Sequence, residues 1–200
     1  MLPLLKSAIK GTAHWLLPDG AKDILRQCYL RLQSISPDAR STLARNAELK
    51  GKHQGKRCFI LATGPSIKNH DLSLLENEIC ISVANFFVHS DFSKIRPLYH
   101  CNTHLHKPLT DEDGLRWYRQ MEPYMDQTNL ILGYPDKQLI ELNRLFNNQE
   151  IYYLRFGDSW DKPANQSFDL TCQLPGCQSV SIMALMVAIY IGYVFDNFDI

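Results

Sequence analysis

From Cys58 onward, short apolar runs alternate with segments of helical period, and that alternation narrows the chain to one fold class. Cys58–Ala62, Ile79–Ala84, Leu98–Cys101, Asn129–Leu132 and Glu150–Leu154 read as strands. Thr110-Asp111-Glu112-Asp113 reads as a capping box opening an amphipathic helix through Met121, so its acids compensate a helix dipole better than they suit a metal. A further helix is expected over Asp136–Phe146, and a strongly apolar one over Ser179–Ile191. Strands alternating with helices imply an α/β fold: a doubly wound, mostly parallel (Rossmann-like) sheet. No Gly-x-Gly-x-x-Gly follows any strand, which argues against an ordinary dinucleotide dehydrogenase.

Ahead of this alternation the pattern is helical. Leu2, Leu5, Ile9, Ala13 and Leu16 make one apolar stripe, broken at Pro18-Asp19-Gly20. A second helix carries Ile24, Leu25, Cys28, Tyr29 and Leu32 on one face, and Ser36-Pro37 opens a third toward Leu49. The polar stretch Gly51–Lys56 reads as a hinge, giving a helical arm over 1–50 and a nucleotide-binding domain over 51–200.

Zero net charge hides an asymmetry: residues 1–57 hold eleven Lys and Arg against four acids, and the rest of the chain holds ten against seventeen. A basic arm on an acidic body points to an anionic partner, or else to an arm that is simply solvated or is docked on its own acidic body. Trp15, Lys6 and Lys10 around the first apolar stripe fit an interfacial helix, so residues 1–33 are expected on an anionic membrane face rather than on nucleic acid. The same stripe packing on the α/β body is the competing reading. No secretory signal is recognisable, and no run reaches the roughly 20 apolar residues of a membrane span. Six scattered cysteines read as free thiols in a reducing cytoplasm, with peripheral attachment to the inner membrane face an added expectation.

The stretch Lys56 to Lys68 carries the chemistry. A β-prone run stops at Thr63-Gly64, and Pro65 stands next, in the first position of an expected helix. Gly64 admits close approach to the backbone, and the free N–H groups after it suit a phosphate. Thr63 and Ser66 add hydroxyls, and Lys68 a cation at the pocket rim. Asn85 and Asn102 end the next two strands, and strand ends of a parallel sheet converge on one rim.

Gly64-Pro65-Ser66-Ile67-Lys68 followed by Asp71-Leu72-Ser73-Leu74-Leu75 resembles the first strand–turn–helix of bacterial sialyltransferases that use CMP-sialic acid. It is equally similar to a domain classed with the 6-hydroxymethyl-dihydropterin pyrophosphokinases of surface-polysaccharide pathways. The resemblance runs from about Asn46 to the end of the chain. It implies that Asn85 and Asn102 hold a nucleotide, and that Ser179 or Ser181 stands where the family contacts the donor. Thr63 departs from it, since the family places an asparagine there, and the glycine of the family's Thr-Ser-Gly at the head of the last helix is absent here. The family continues past this point with a strand, an acidic turn and its catalytic base, so Asp196–Ile200 is expected to open that strand and the chain to cover only part of the catalytic unit.

Other constellations stay subordinate. His100, Cys101, His104 and His106 crowd seven residues, but no second ligand pair stands at a familiar spacing, so no metal is expected. His104 and His106 are read as pocket-rim residues able to meet phosphate or move a proton. An N-cap explains one of Ser179 and Ser181 as well as a ligand does. Cys172 and Cys177 flank a turn, and Arg155, Asp158, Trp160 and Asp161 form a polar aromatic loop. Function is expected to be a glycosyltransferase-like use of a CMP-sugar-like donor and a glycan acceptor, without a firm cofactor. The alternatives are pyrophosphoryl transfer, which would need Mg²⁺, and a non-catalytic nucleotide- or glycan-binding module.

Overall fold

The computed structural model describes residues 36–104, 108–157 and 169–193. The chain forms two compact units, Met1–Pro37 and Asp38–Ile200, and the second contains the sheet. The two helices expected before Ser36, and the strand expected from Asp196, lie outside the described residues.

Five strands, β1 (Phe59–Leu61), β2 (Cys80–Val83), β3 (Tyr99–Asn102), β4 (Asn129–Gly133) and β5 (Ile151–Leu154), form one sheet in the order β1-β2-β3-β4-β5. Every pairing is parallel. The expected α/β sheet is therefore present, with each strand within one or two residues of its expected bounds.

Sequential order has a consequence for the faces. Parallel crossovers are right-handed, so four crossovers advancing in one direction all fall on one side. That side is packed by the short helix α2 (Phe92–Ile95), by α3 (Asp111–Met121) and by α4 (Lys137–Leu142). Leu61, Phe86, Phe87, Phe92, Tyr118, Met121, Leu130 and Ile140 fill it. The opposite face is covered by α5 (Val180–Ile191), whose Met183, Ala184, Val187 and Ile191 pack on Ile81, Val83, Tyr99 and Cys101. Helices therefore cover both faces of this all-parallel α/β sheet, as the expected class requires.

Local chemistry sets the element ends. Thr110 Oγ1 accepts from Asp113 N at 3.2 Å while the Asp113 carboxylate accepts from Thr110 N at 3.0 Å, so the capping box forms as expected. The helix expected over Asp136–Phe146 stops at Leu142. Asn143 Nδ2 donates to Leu139 O at 2.8 Å, and Arg144 and Phe146 take positive φ of 52° and 57°. Phe146 N then donates to the Glu122 carboxylate at 2.6 Å, which draws the chain out of helical register.

The expected third helix is α1 (Pro37–Ala44) continued by a 3-10 turn, Arg45–Leu49. Asn46 in that turn is fully buried and donates to Tyr153 O at 2.9 Å and Leu170 O at 2.7 Å. The stretch read as an open hinge is instead docked. Gly51, His53 and Gly55 N–H groups donate to Tyr190, Ile191 and Gly192 carbonyls, each at 3.0 Å, satisfying acceptors that the end of α5 leaves unpaired. Gly192 closes α5 at φ 94°, and a Cβ there would meet Gln54 Oε1 at 2.5 Å. His53 stacks on Tyr193 and shares a 3.0 Å hydrogen bond with Tyr99 Oη. Among the described residues no helix is long and apolar enough to cross a membrane.

Candidate functional site

The docked C-terminus of α5 lies at the start of β1, so the helix runs antiparallel to the strands and its N-terminus stands at their C-terminal rim. That rim gathers the turn after β1, the end of β2, the end of β3 and the serines of α5. Leu61, Ser82, His100 and Leu130 form one cross-strand row. Thr63, Ala84 and Asn102 each stand two residues beyond it, with Asn85 one further.

Thr63, Gly64, Pro65 and Ser66 leave the turn open to solvent, with Gly64, Pro65 and Ser66 exposed. Gly64 has φ −61° and ψ 147°, which any residue adopts, and a Cβ there would meet only Ser66 Oγ at 3.7 Å. The fold therefore does not require glycine at 64, and space lies open over its backbone. The α-helix expected after Gly64 does not form. Pro65 opens a five-residue 3-10 turn, Pro65–Asn69, and a second such turn runs over Leu72–Leu75. The break comes at His70, which is extended, and at Asp71, whose carboxylate accepts from Ser73 N at 3.1 Å and from Ser73 Oγ at 2.6 Å. Asp71 caps a new turn and so competes with continuation of the old one. A helix dipole aimed at a phosphate is thereby lost, and turn N–H groups and hydroxyls remain. Lys68 sits exposed on the first turn.

At the end of β2, Ala84 takes φ 49°. Left-handed backbone costs a residue with a Cβ about 1–2 kcal/mol, and such strain gathers at functional turns. It swings the exposed Asn85 away from the strand direction, where its Oδ1 accepts from the Trp117 indole N–H at 2.8 Å. Ala84→Gly relieves the strain and should raise stability by about 0.5–1 kcal/mol net of glycine's entropy. A denaturant midpoint that falls instead would show that the φ is not strained.

Asn102, only 7 % exposed, donates from Nδ2 to Thr103 O at 2.9 Å. It faces the same side as Tyr118 of α3, whose hydroxyl donates to Asp136 Oδ2 at 2.6 Å. Asp136 stands at the N-cap of α4 but makes no side-chain cap there, and only 7 % of it is exposed. Burial and this carboxylate together raise the Tyr118 pKa above its ordinary value. Sequence reading misses Asp136, which looks like a helix start.

The histidines separate. His100 and Cys101, within the strand expected over Leu98–Cys101, are fully buried in β3 and stand apart from the rim. His100 Nδ1 shares a 2.8 Å hydrogen bond with Ser82 Oγ, its Nε2 has no partner, and Phe87 meets the ring edge-on. Burial lowers its pKa to about 3. His104 is half-buried beside Gly133, where any Cβ would fall 2.4 Å from the His104 backbone nitrogen. Glycine at 133 thus lets the loop after β3 cross the end of β4. His106 lies outside the described residues, as do Asp158, Trp160 and Asp161. Among the described residues no group of three His, Cys, Asp or Glu is placed to hold a metal.

Ser179 is exposed, and its Oγ accepts from Ile182 N at 3.2 Å, the capping geometry. Ser181 is half-buried in the first turn of the helix. Cys177 Sγ donates to Ser179 O at 2.7 Å, and burial raises its pKa. Burial also pushes Cys58 and Cys80 up to about 12, so these thiols stay protonated and poorly nucleophilic.

At this carboxyl end of the parallel strands, the end at which α/β sheets take ligands, the hydroxyls of Thr63 and Ser66 and the amide of Asn85 are exposed around the Gly64 turn, while Asn102 is buried. No family model, curated protein or solved structure matches the chain.

Proposed function

We propose that the protein binds a nucleotide-sugar donor at this rim and is glycosyltransferase-like, acting in surface-glycan synthesis. The observation that carries the reading is the register. Thr63, Asn85 and Asn102, from three adjacent parallel strands, stand at one end of the sheet beside Gly64, whose backbone is open. Hydroxyls, amide donors and turn N–H groups are the groups that hold a phosphate and a ribose without a metal. The likeness of Gly64-Pro65-Ser66 to the CMP-sialic-acid enzymes selects a cytidine nucleotide as first choice. The acceptor in this reading is a glycan, met at the inner membrane face by the basic residues of 1–33.

Calorimetry with CMP, UMP, GDP and ATP tests the reading. CMP is expected to bind most tightly, and Gly64→Val to weaken it at least tenfold by filling the space over the turn while φ and ψ stay unstrained. Binding by none of the four, or equal binding by Gly64→Val, overturns the proposal.

A further inference from the structure

Asn85 has an amide of two faces, and one of them is already assigned by chemistry. The indole N–H of Trp117 only donates, so the Asn85 atom 2.8 Å from it must be the oxygen. The amide nitrogen is then on the opposite side of the planar group. Among the described residues nothing accepts from it, and the residue is exposed at the rim. Trp117 is itself held: it is half-buried on α3, and its ring meets Phe87 edge-on at 5.8 Å and Tyr118 at 5.1 Å. Phe87 and Tyr118 are core residues, 2 % and 0 % exposed, so the indole is braced against the body of the domain.

We infer that Trp117 is a positioning residue which locks the Asn85 amide with its two N–H groups toward the rim, so that the site reads an acceptor oxygen of its ligand. This rests on the nucleotide-binding reading of the rim and adds its polarity. A freely turning asparagine presents oxygen or nitrogen alternately and discriminates little. A locked one rejects a donor and favours a phosphate or a pyrimidine carbonyl oxygen, both of which only accept. Trp117 lies 32 residues from Asn85 in the chain, so the contact exists only once α3 has packed onto the sheet.

A double-mutant cycle tests this by calorimetry with CMP on the wild type, Trp117→Phe, Asn85→Ala and the double variant, with cytidine as a second probe. Trp117→Phe keeps most of the ring packing and removes the N–H. It should weaken CMP about five- to tenfold in the wild type and not at all in the Asn85→Ala background. A merely structural role would weaken both backgrounds by the same factor, and that result overturns the inference, as does an unchanged Trp117→Phe. Loss of the effect with cytidine assigns the acceptor to phosphate, and its retention assigns it to the base carbonyl. Asn85→Asp, which leaves Trp117 in place, still accepts from the indole but offers a carboxylate oxygen where the donors stood. It should lower affinity at least a hundredfold, and wild-type affinity in this variant also overturns the inference. A wild type that binds no nucleotide removes the underlying reading of the rim, and a wild type that binds while the cycle is additive removes only the role of Trp117.

Discussion

Acidification from pH 7 to pH 4 should remove about 3 kcal/mol more stability from the wild type than from His100→Leu. His100 is fully buried, and its folded pKa of about 3 lies well below the ordinary value near 6.5. The unfolded chain then binds the proton first, so stability is whole above about 6.5 and is lost as pH falls toward 3. Three and a half units correspond to about 5 kcal/mol over the whole window, of which roughly two-thirds falls above pH 4. The geometry explains why the proton is unwelcome. A charged imidazole must donate from both nitrogens, and Nε2 faces no acceptor. Leucine removes the titrating group, while the Ser82 hydroxyl keeps its long 3.4 Å contact with Tyr99 O. Urea unfolding at the two pH values measures the difference, and equal acid sensitivity in the two proteins would show that His100 does not titrate on unfolding.

The opposite pH dependence is expected when Asn46 becomes Asp. Asn46 Nδ2 bonds two main-chain carbonyls, one on β5 and one at Leu170, and the residue is wholly buried. Asn46→Ala leaves both carbonyls unpaired and should cost about 2–4 kcal/mol. Asn46→Asp sets a carboxyl against two acceptors, which can be tolerated only in the protonated form, and then with one bond instead of two. Its folded pKa would be raised, so the folded state holds the proton longer than the unfolded one. The deficit would therefore grow as pH rises from about 4 to 7, reaching more than about 4 kcal/mol. Denaturation at pH 4 and pH 7 decides it. A variant as stable as Asn46→Ala at both pH values would show that the site admits water.

Both residues show where sequence reading stops. Strands and caps are legible because their causes are local: the apolar runs of β1 to β5, the Thr110–Asp113 box and the Ser179 cap lie within a few residues of what they determine. The α/β class comes from alternation alone. Strand order does not, since parallel neighbours are chosen across crossovers of many residues. His100 falls inside the strand expected over Leu98–Cys101, but its full burial and its bond to Ser82 on the neighbouring strand come only from the sheet pairing. Asn46 looks like a helix residue because both its partners lie more than a hundred positions away. The turn after Gly64 departs from expectation for a local reason: Asp71 offers Ser73 a competing cap, and a proline in a first turn does not distinguish an α-helix from a 3-10 one. At the rim, residue types are legible and their partners are not. Asn85 and Asn102 stand out as strand ends, whereas Trp117, Gly133 and Asp136 acquire meaning only through α3, the His104 loop and Tyr118.

The carboxyl rim of the sheet is the proposed ligand face. Adding CMP to isotope-labelled protein and tracking each backbone amide by NMR tests it most directly, because it locates binding as well as detecting it. Saturable shifts are predicted at Gly64, Ser66, Asn85, Asn102 and Thr103, with the docked segment Gly51–Gly55 at the opposite rim unmoved. Shifts confined to Gly51–Gly55, or no shift with millimolar CMP, UMP, GDP or ATP, would contradict it.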